Sequence, residues 1–356
     1  MRLFSCSVCK QLLFFENVKC EGCGHSLAYL PEHSVVSALE PVGNEWVALA
    51  AEANGARYRL CGNSIEHGVC NWAVPADSNA VLCRSCSLND TIPNLSQPDA
   101  LAAWQRLEIA KRRLLYTLIA LGLPVEAKTA TERGLAFSFK ADQAGEKVFT
   151  GHDEGTITIN VAEADDPFRE KMRLRLGEVY RTLLGHFRHE IGHYYWDRLV
   201  RTTRWLDPFR ALFGDESDDY AKALERHYER GAPESWQAEF VSAYASMHPW
   251  EDFAETFAHY LHMVDTLETA RSYGLALRPK PVGGAEILPV TTRRLHFDDF
   301  DDLVTAWFPL TIALNSLNRG MGLADLYPFV LSPRAIEKVR FVHDLVDDET
   351  RAPGAG

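Results

Sequence analysis

The sequence predicts an α+β protein in two parts: a cysteine-rich N-terminal region, then a mainly helical domain with a small β-sheet. Three observations carry that prediction. All eight cysteines lie between positions 6 and 86, and the following 270 residues contain none. Beyond residue 99 most of the chain spaces its apolar residues as helices do. Only two short runs there, 135–139 and 156–161, have the β-branched and aromatic character of strands.

Composition bounds the function. With 356 residues the chain exceeds one typical domain, and 46% hydrophobic against 24% charged residues is ordinary for a globular protein. The formal charge is -12, and residues 1–95 carry nine acidic against six basic side chains. Neither part has the basic footprint of a phosphate-backbone binder, so nucleic acid is a disfavoured partner. No apolar run reaches the roughly 18 to 20 residues of a membrane span, and the opening Met1–Cys6 lacks the apolar core of a secretory signal. The expectation is a cytoplasmic protein with no membrane partner. In a reducing compartment clustered cysteines point to metal rather than disulfides.

The N-terminal region, 1–95, is read as holding two four-cysteine zinc sites. Cys6 and Cys9, then Cys20 and Cys23, form two CxxC pairs ten residues apart. Each such turn aims two thiolates at one point, and two of them complete a closed tetrahedral structural site. The second set is Cys61, Cys70, Cys83 and Cys86, of which only the last pair has standard spacing. His67 lies between Cys61 and Cys70 and reads as a loop histidine rather than a replacement ligand.

Residues 87–98, rich in Pro, Asn and Ser, read as a linker into a domain spanning 99–350. The elements expected there are an amphipathic helix over 99–121, the two strands, a long, mostly helical stretch from about 167 to 199, and further helices. A loop-like interval covers 278–292, and the tail from Ala352 reads as frayed. Trp196, Trp205, Trp236 and Trp250 read as core anchors, and the acidic run 215–219 as a solvated loop.

The chemistry concentrates in His189-Glu190-Ile191-Gly192-His193. Histidines four apart on a helix share a face and can reach one Zn²⁺, with the intervening Glu190 placed as general base toward the metal-activated water. A catalytic zinc needs a third protein ligand and one open position. The segment from Pro249 supplies candidates, because Glu251, Glu255 and His259 lie four apart on one stripe. The reading selects Glu255 as ligand, treats Glu251 as an ordinary N-terminal carboxylate and makes His259 an outer partner. Asp197, four residues beyond His193, is a competitor as ligand. His248 and Tyr244, just ahead of this helix, are the candidate donors to the oxyanion.

These motifs, with the CxxC knuckles, the run 189–196 and the run 248–262, resemble the bacterial zinc-binding metallopeptidases that carry an N-terminal zinc ribbon. The run Phe253-Ala254-Glu255-Thr256-Phe257 also looks like the second ligand helix of gluzincin-type toxins. That similarity implies zinc binding by the Glu after Phe-Ala, here Glu255. The resemblance implies a zinc ribbon followed by a zincin-like metallopeptidase domain acting on protein or peptide. One catalytic and two structural Zn²⁺ ions are expected, and 156–161 is the candidate edge strand for an extended peptide. The main rival is a ribbon-type protein-binding module whose zincin-like domain is inactive or regulatory; an amidase or other hydrolase using the same zinc chemistry is another.

Overall fold

The computed structural model describes residues 1–356 apart from 130–133, 144, 177, 281, 284–289, 293–294 and 352–356. The chain is α+β, as its sequence predicts. Its contacts cluster into two compact units, Met1–Met172 and Arg173–Gly356.

In the first unit β1 (Phe4–Ser5) and β2 (Leu12–Leu13) form a hairpin around Cys6 and Cys9. A five-stranded antiparallel meander follows: β3 (Ser26–Leu30), β4 (Val35–Val42), β5 (Glu45–Ala48), β6 (Arg57–Leu60) and β7 (Ala73–Pro75). Leu30, Leu39, Ala48, Tyr58 and Ala73 fill its core. The amide of Tyr29 donates to the carbonyl of Asn71 at 2.8 Å, so the first strand also meets the segment leading into the last. The short helix α1 (Gly62–His67) joins Cys61 to Cys70, and there His67 packs edge-on to Trp104 rather than among the thiols.

Part of the stretch read as a linker is structured. Residues Asn89–Thr91 form β8, which lies parallel to β9 (Ala136–Lys140). With β10 (Gly151–Asp153) and β11 (Thr156–Asn160) they make a sheet ordered β10-β11-β9-β8. The expected edge strand at 156 is therefore interior, hydrogen-bonded to β9 on one side and β10 on the other. Periodicity gives the strand, but not its neighbours.

Helix α2 (Ala100–Ala120) buries Trp104, Leu107, Leu114 and Leu118 at helical spacing. It also buries a charged network. Oε1 of Glu108 accepts from Lys111 Nζ at 2.9 Å, Trp104 Nε1 at 3.1 Å and Asn89 Nδ2 at 2.7 Å. Arg112, beside it, donates to the carbonyl of Val69 at 2.5 Å. Buried charge is tolerated when its partners are complete, and these join α2 to the segments flanking the second cysteine set.

The mostly helical stretch expected over 167–199 comprises two helices and a closing turn. α3 (Asp166–Leu176) ends before a non-helical stretch at 178–182, and α4 (Leu183–Tyr195) begins where Thr182 Oγ1 accepts from the Gly185 amide at 3.0 Å. A five-residue π-turn, Trp196–Val200, closes α4. The second unit continues through α5 (Leu206–Phe213), α6 (Tyr220–Arg230), α7 (Pro249–Ser272), α8 (Phe300–Gly320) and α9 (Pro333–Arg351). α7 is central, packed against α4, α8 and α9. At the α4–α7 crossing a Cβ on Gly192 would sit 2.8 Å from Ala254 Cα, so only glycine permits this approach.

Of the tryptophans read as core anchors, Trp196 is buried edge-on to Phe209, whereas Trp205 is partly exposed and donates to Asp348. The tail 352–356 and most of 284–294 lie outside the described residues. Among the described residues no helix is long and apolar enough to cross a membrane.

Candidate metal centres and catalytic residues

The eight cysteines form two clusters of four. Cys6 and Cys23 sulfurs lie 3.6 Å apart and Cys9 and Cys20 sulfurs 3.5 Å apart; in the second cluster Cys70 and Cys83 are 3.6 Å apart. None is in a disulfide. Zinc–sulfur bonds of about 2.3 Å place tetrahedral sulfurs about 3.8 Å apart, so both clusters fit the ion. All four residues of the second cluster are buried, whereas Cys9 is exposed. Burial and the neighbouring sulfurs hold the Cys83 thiol well above its ordinary value, while the neighbouring sulfurs pull Cys61 well below it.

The third cluster arises at the α4–α7 crossing. Nε2 of His189 and Nε2 of His193 lie 3.2 Å apart on successive turns of α4. Oε2 of Glu251, in the first turn of α7, lies 3.0 Å from the former and 3.4 Å from the latter. Glu251 is 2% exposed and this oxygen takes no aligned hydrogen bond. Zinc–nitrogen and zinc–oxygen bonds of about 2.0–2.2 Å imply tetrahedral ligand separations near 3.4 Å, and two imidazoles with one carboxylate are a donor set of catalytic zinc. The residues fit the ion.

Glu255 does not join this group; it stands behind it. Its Oε1 lies 2.7 Å from Nδ1 of His189, and its Oε2 accepts from Ser242 Oγ at 2.6 Å. The geometry therefore exchanges the places expected for Glu251 and Glu255. The four-residue stripe identifies the face of α7, but the level at which the helices cross, set by Gly192 against Ala254, selects the turn that meets the imidazoles. His259, one turn further, has Nδ1 at 2.5 Å from Tyr327 hydroxyl. Asp197 falls on the π-turn and faces Arg201 at 3.4 Å.

Electrostatics follow from the packing. Burial lowers the His189 imidazole, but carboxylates on both its nitrogens raise it well above its ordinary value. Burial raises the Glu251 carboxyl, yet His193 and His189 pull it well below the usual range. Glu190 is 7% exposed, and burial pushes its carboxyl up, against the opposing pull of His189 and His193.

The two oxyanion candidates differ. His248 caps α7: Nδ1 accepts from the Trp250 amide at 3.1 Å, and Nε2 donates to the carbonyl of Asp218 at 3.1 Å. One tautomer satisfies both contacts, leaving neither nitrogen for substrate. Tyr244 lies with its ring 6.0 Å from that of His189, and burial raises its hydroxyl far above the ordinary range, so it stays a proton donor.

Sequence reasoning missed three neighbours. Tyr220 donates to Oε1 of Glu251 at 2.8 Å, Trp250 lies with its ring centroid 3.7 Å from that of His193, and Ser242 holds Glu255. Tyr220 follows the acidic run by one residue, where no spacing distinguishes it. Trp250 was legible only as an apolar anchor.

Residues 3–97 match a zinc-ribbon domain family, and residues 100–345 match the family described as "Putative zinc-binding metallo-peptidase". The chain belongs to this metallo-peptidase family. Uncharacterized proteins of Mycobacterium bovis and Mycobacterium tuberculosis are each 45% identical over 350 residues, covering 98% of this chain and 96% of theirs. No solved structure matches the chain. Zinc is thus supported twice for this metallo-peptidase, by the family and by the donor clusters.

Proposed function

We propose that the protein is a zinc-dependent peptidase whose catalytic ion is held by His189, His193 and Glu251, with Glu190 as general base. The observation that carries this reading is the convergence of the two Nε2 atoms and Oε2 of Glu251 beside a buried glutamate. Bound zinc supplies Lewis acidity that draws down the pKa of water and polarises a scissile carbonyl. Glu190 then takes the proton from the attacking water, holds it on its carboxylate and passes it to the leaving amine.

Glu255 orients His189 through Nδ1 and so fixes Nε2 toward the ion, an arrangement that ligating histidines generally require. Tyr244 is the donor to the developing oxyanion, since its hydroxyl remains protonated and its ring packs beside His189. The two cysteine clusters are structural zinc sites. Domains at 1–95 and 99–350 and a cytoplasmic location remain part of this proposal.

The test is hydrolysis of a mixed peptide library by the zinc-loaded protein and by Glu190→Gln. Cleavage by the wild type alone supports the reading; equal cleavage by both, or none by the wild type at full zinc occupancy, overturns it and favours a binding module.

A further inference from the structure

α6 is an unusual element of the second unit. Of its eleven residues, Tyr220–Arg230, only Ala223 is buried. Gly214 (φ 112°) precedes it by six residues and Gly231 (φ 72°) follows it directly, both in backbone that side chains disfavour. An exposed helix between two such points has little apolar burial to hold it down.

The segment leading into it is tied by the Arg210–Glu216 ion pair and by His248 donating to the Asp218 carbonyl, and the helix itself meets the candidate catalytic site. The Tyr220 hydroxyl donates to Glu251 Oε1 at 2.8 Å, while its ring packs edge-on to His248 at 5.4 Å and Trp250 at 6.0 Å. Near the other end, the His227 ring meets that of Tyr244 at 5.8 Å, edge-on. The two attachments fall on the acidic ligand and on the proton donor assigned above.

We propose that α6 is a hinged cover whose seating sets the metal site, with Tyr220 as the positioning residue. Seated, the cover occupies Oε1 of Glu251 and leaves Oε2 turned to the two imidazoles. Lifted about Gly214 and Gly231, it frees the carboxylate to rotate, so metal retention and the seating of α6 are coupled through the Tyr220–Glu251 hydrogen bond. This rests on Glu251 as third ligand.

The test compares wild type, Tyr220→Phe and Glu251→Ala by zinc content after equilibration with a graded chelator. Tyr220→Phe keeps the ring contacts and loses only the hydroxyl. It should weaken retention of the histidine-site zinc about 10- to 100-fold, as for other partners of metal ligands, with the cysteine-bound zinc unchanged. Glu251→Ala should lose the same ion outright. Wild-type retention in Tyr220→Phe, with loss in Glu251→Ala, overturns the cover and spares the peptidase reading. Retention in both variants overturns the ligand assignment, and the cover with it. Hydrogen exchange on the wild type needs no variant: zinc added to chelator-stripped protein should slow exchange across 214–231, and unchanged exchange there overturns the cover.

Discussion

Nδ1 of His189 and Oε1 of Glu255 lie 2.7 Å apart, while Nε2 of the same ring faces Glu251 at 3.0 Å. One imidazole is thus held from both sides by carboxylates one helical turn apart, and the two glutamates have different consequences when removed. Glu251→Ala should abolish zinc at this site. Glu255→Ala should retain the ion with affinity lower by about 10- to 100-fold. Chelator competition with elemental analysis distinguishes them; the reverse order would restore Glu255 as ligand.

Zinc stoichiometry gives the simplest count. The purified protein should carry about three zinc ions, and His189→Ala/His193→Ala about two, one for each four-cysteine cluster. An unchanged count would mean that the histidines bind none.

Glu190→Gln replaces a buried carboxyl that burial already disfavours in its charged form with a neutral group of similar shape. Peptide hydrolysis should fall by about 10²- to 10⁴-fold. Zinc content should hold and thermal stability should match or exceed that of the wild type, which melting curves on the zinc-loaded proteins would measure.

Gly192→Ala places a methyl 2.8 Å from Ala254 Cα and 3.1 Å from its carbonyl oxygen. Because backbone cannot yield as a side chain can, the helices must separate, at a cost of about 1–3 kcal/mol. Ala254→Gly in the same chain should recover only part of that loss, since two of the close atoms are backbone. Chemical denaturation of the variants reads both effects.

Two buried histidines of the second unit should make its stability sensitive to acid. Burial depresses His259 to about 4 and His262 well below its ordinary value, so these two side chains bind fewer protons folded than unfolded between those values and about 6.5. Their contribution to stability is complete above about pH 6.5 and falls as pH drops toward 4, with His259 contributing on the order of 3 kcal/mol. His259→Gln should flatten that fall in denaturation midpoints measured across the window; an unaltered slope would show that His259 is already charged in the fold.

Much of this was legible in the sequence because local rules set it. Helical spacing placed α2 at 100–120 against an expected 99–121, and alternation placed β11. Both cysteine groupings followed from their spacing and now appear as two clusters. What escaped the sequence depended on long-range packing. Nothing near Thr156 says that Gly151–Asp153 returns to cover its open edge, and nothing near Glu251 fixes the height at which α4 crosses. Tyr220 reaches its carboxylate across 31 positions, a relationship without periodicity. Within the mostly helical stretch over 167–199, the position of the break at 178–182 was not fixed by spacing.

The bond from Arg112 to the carbonyl of Val69, beside Cys70, has a consequence for the order of synthesis. A ribosome completes residues 61–120 well before His189 emerges. Once zinc gathers Cys61, Cys70, Cys83 and Cys86, the anchor for α2 is in place on the nascent chain. Zinc scarcity would then be felt first as a failure of maturation, with chains stalling short of the native state and exposed to proteolysis, rather than as a folded chain lacking an ion at the histidine cluster.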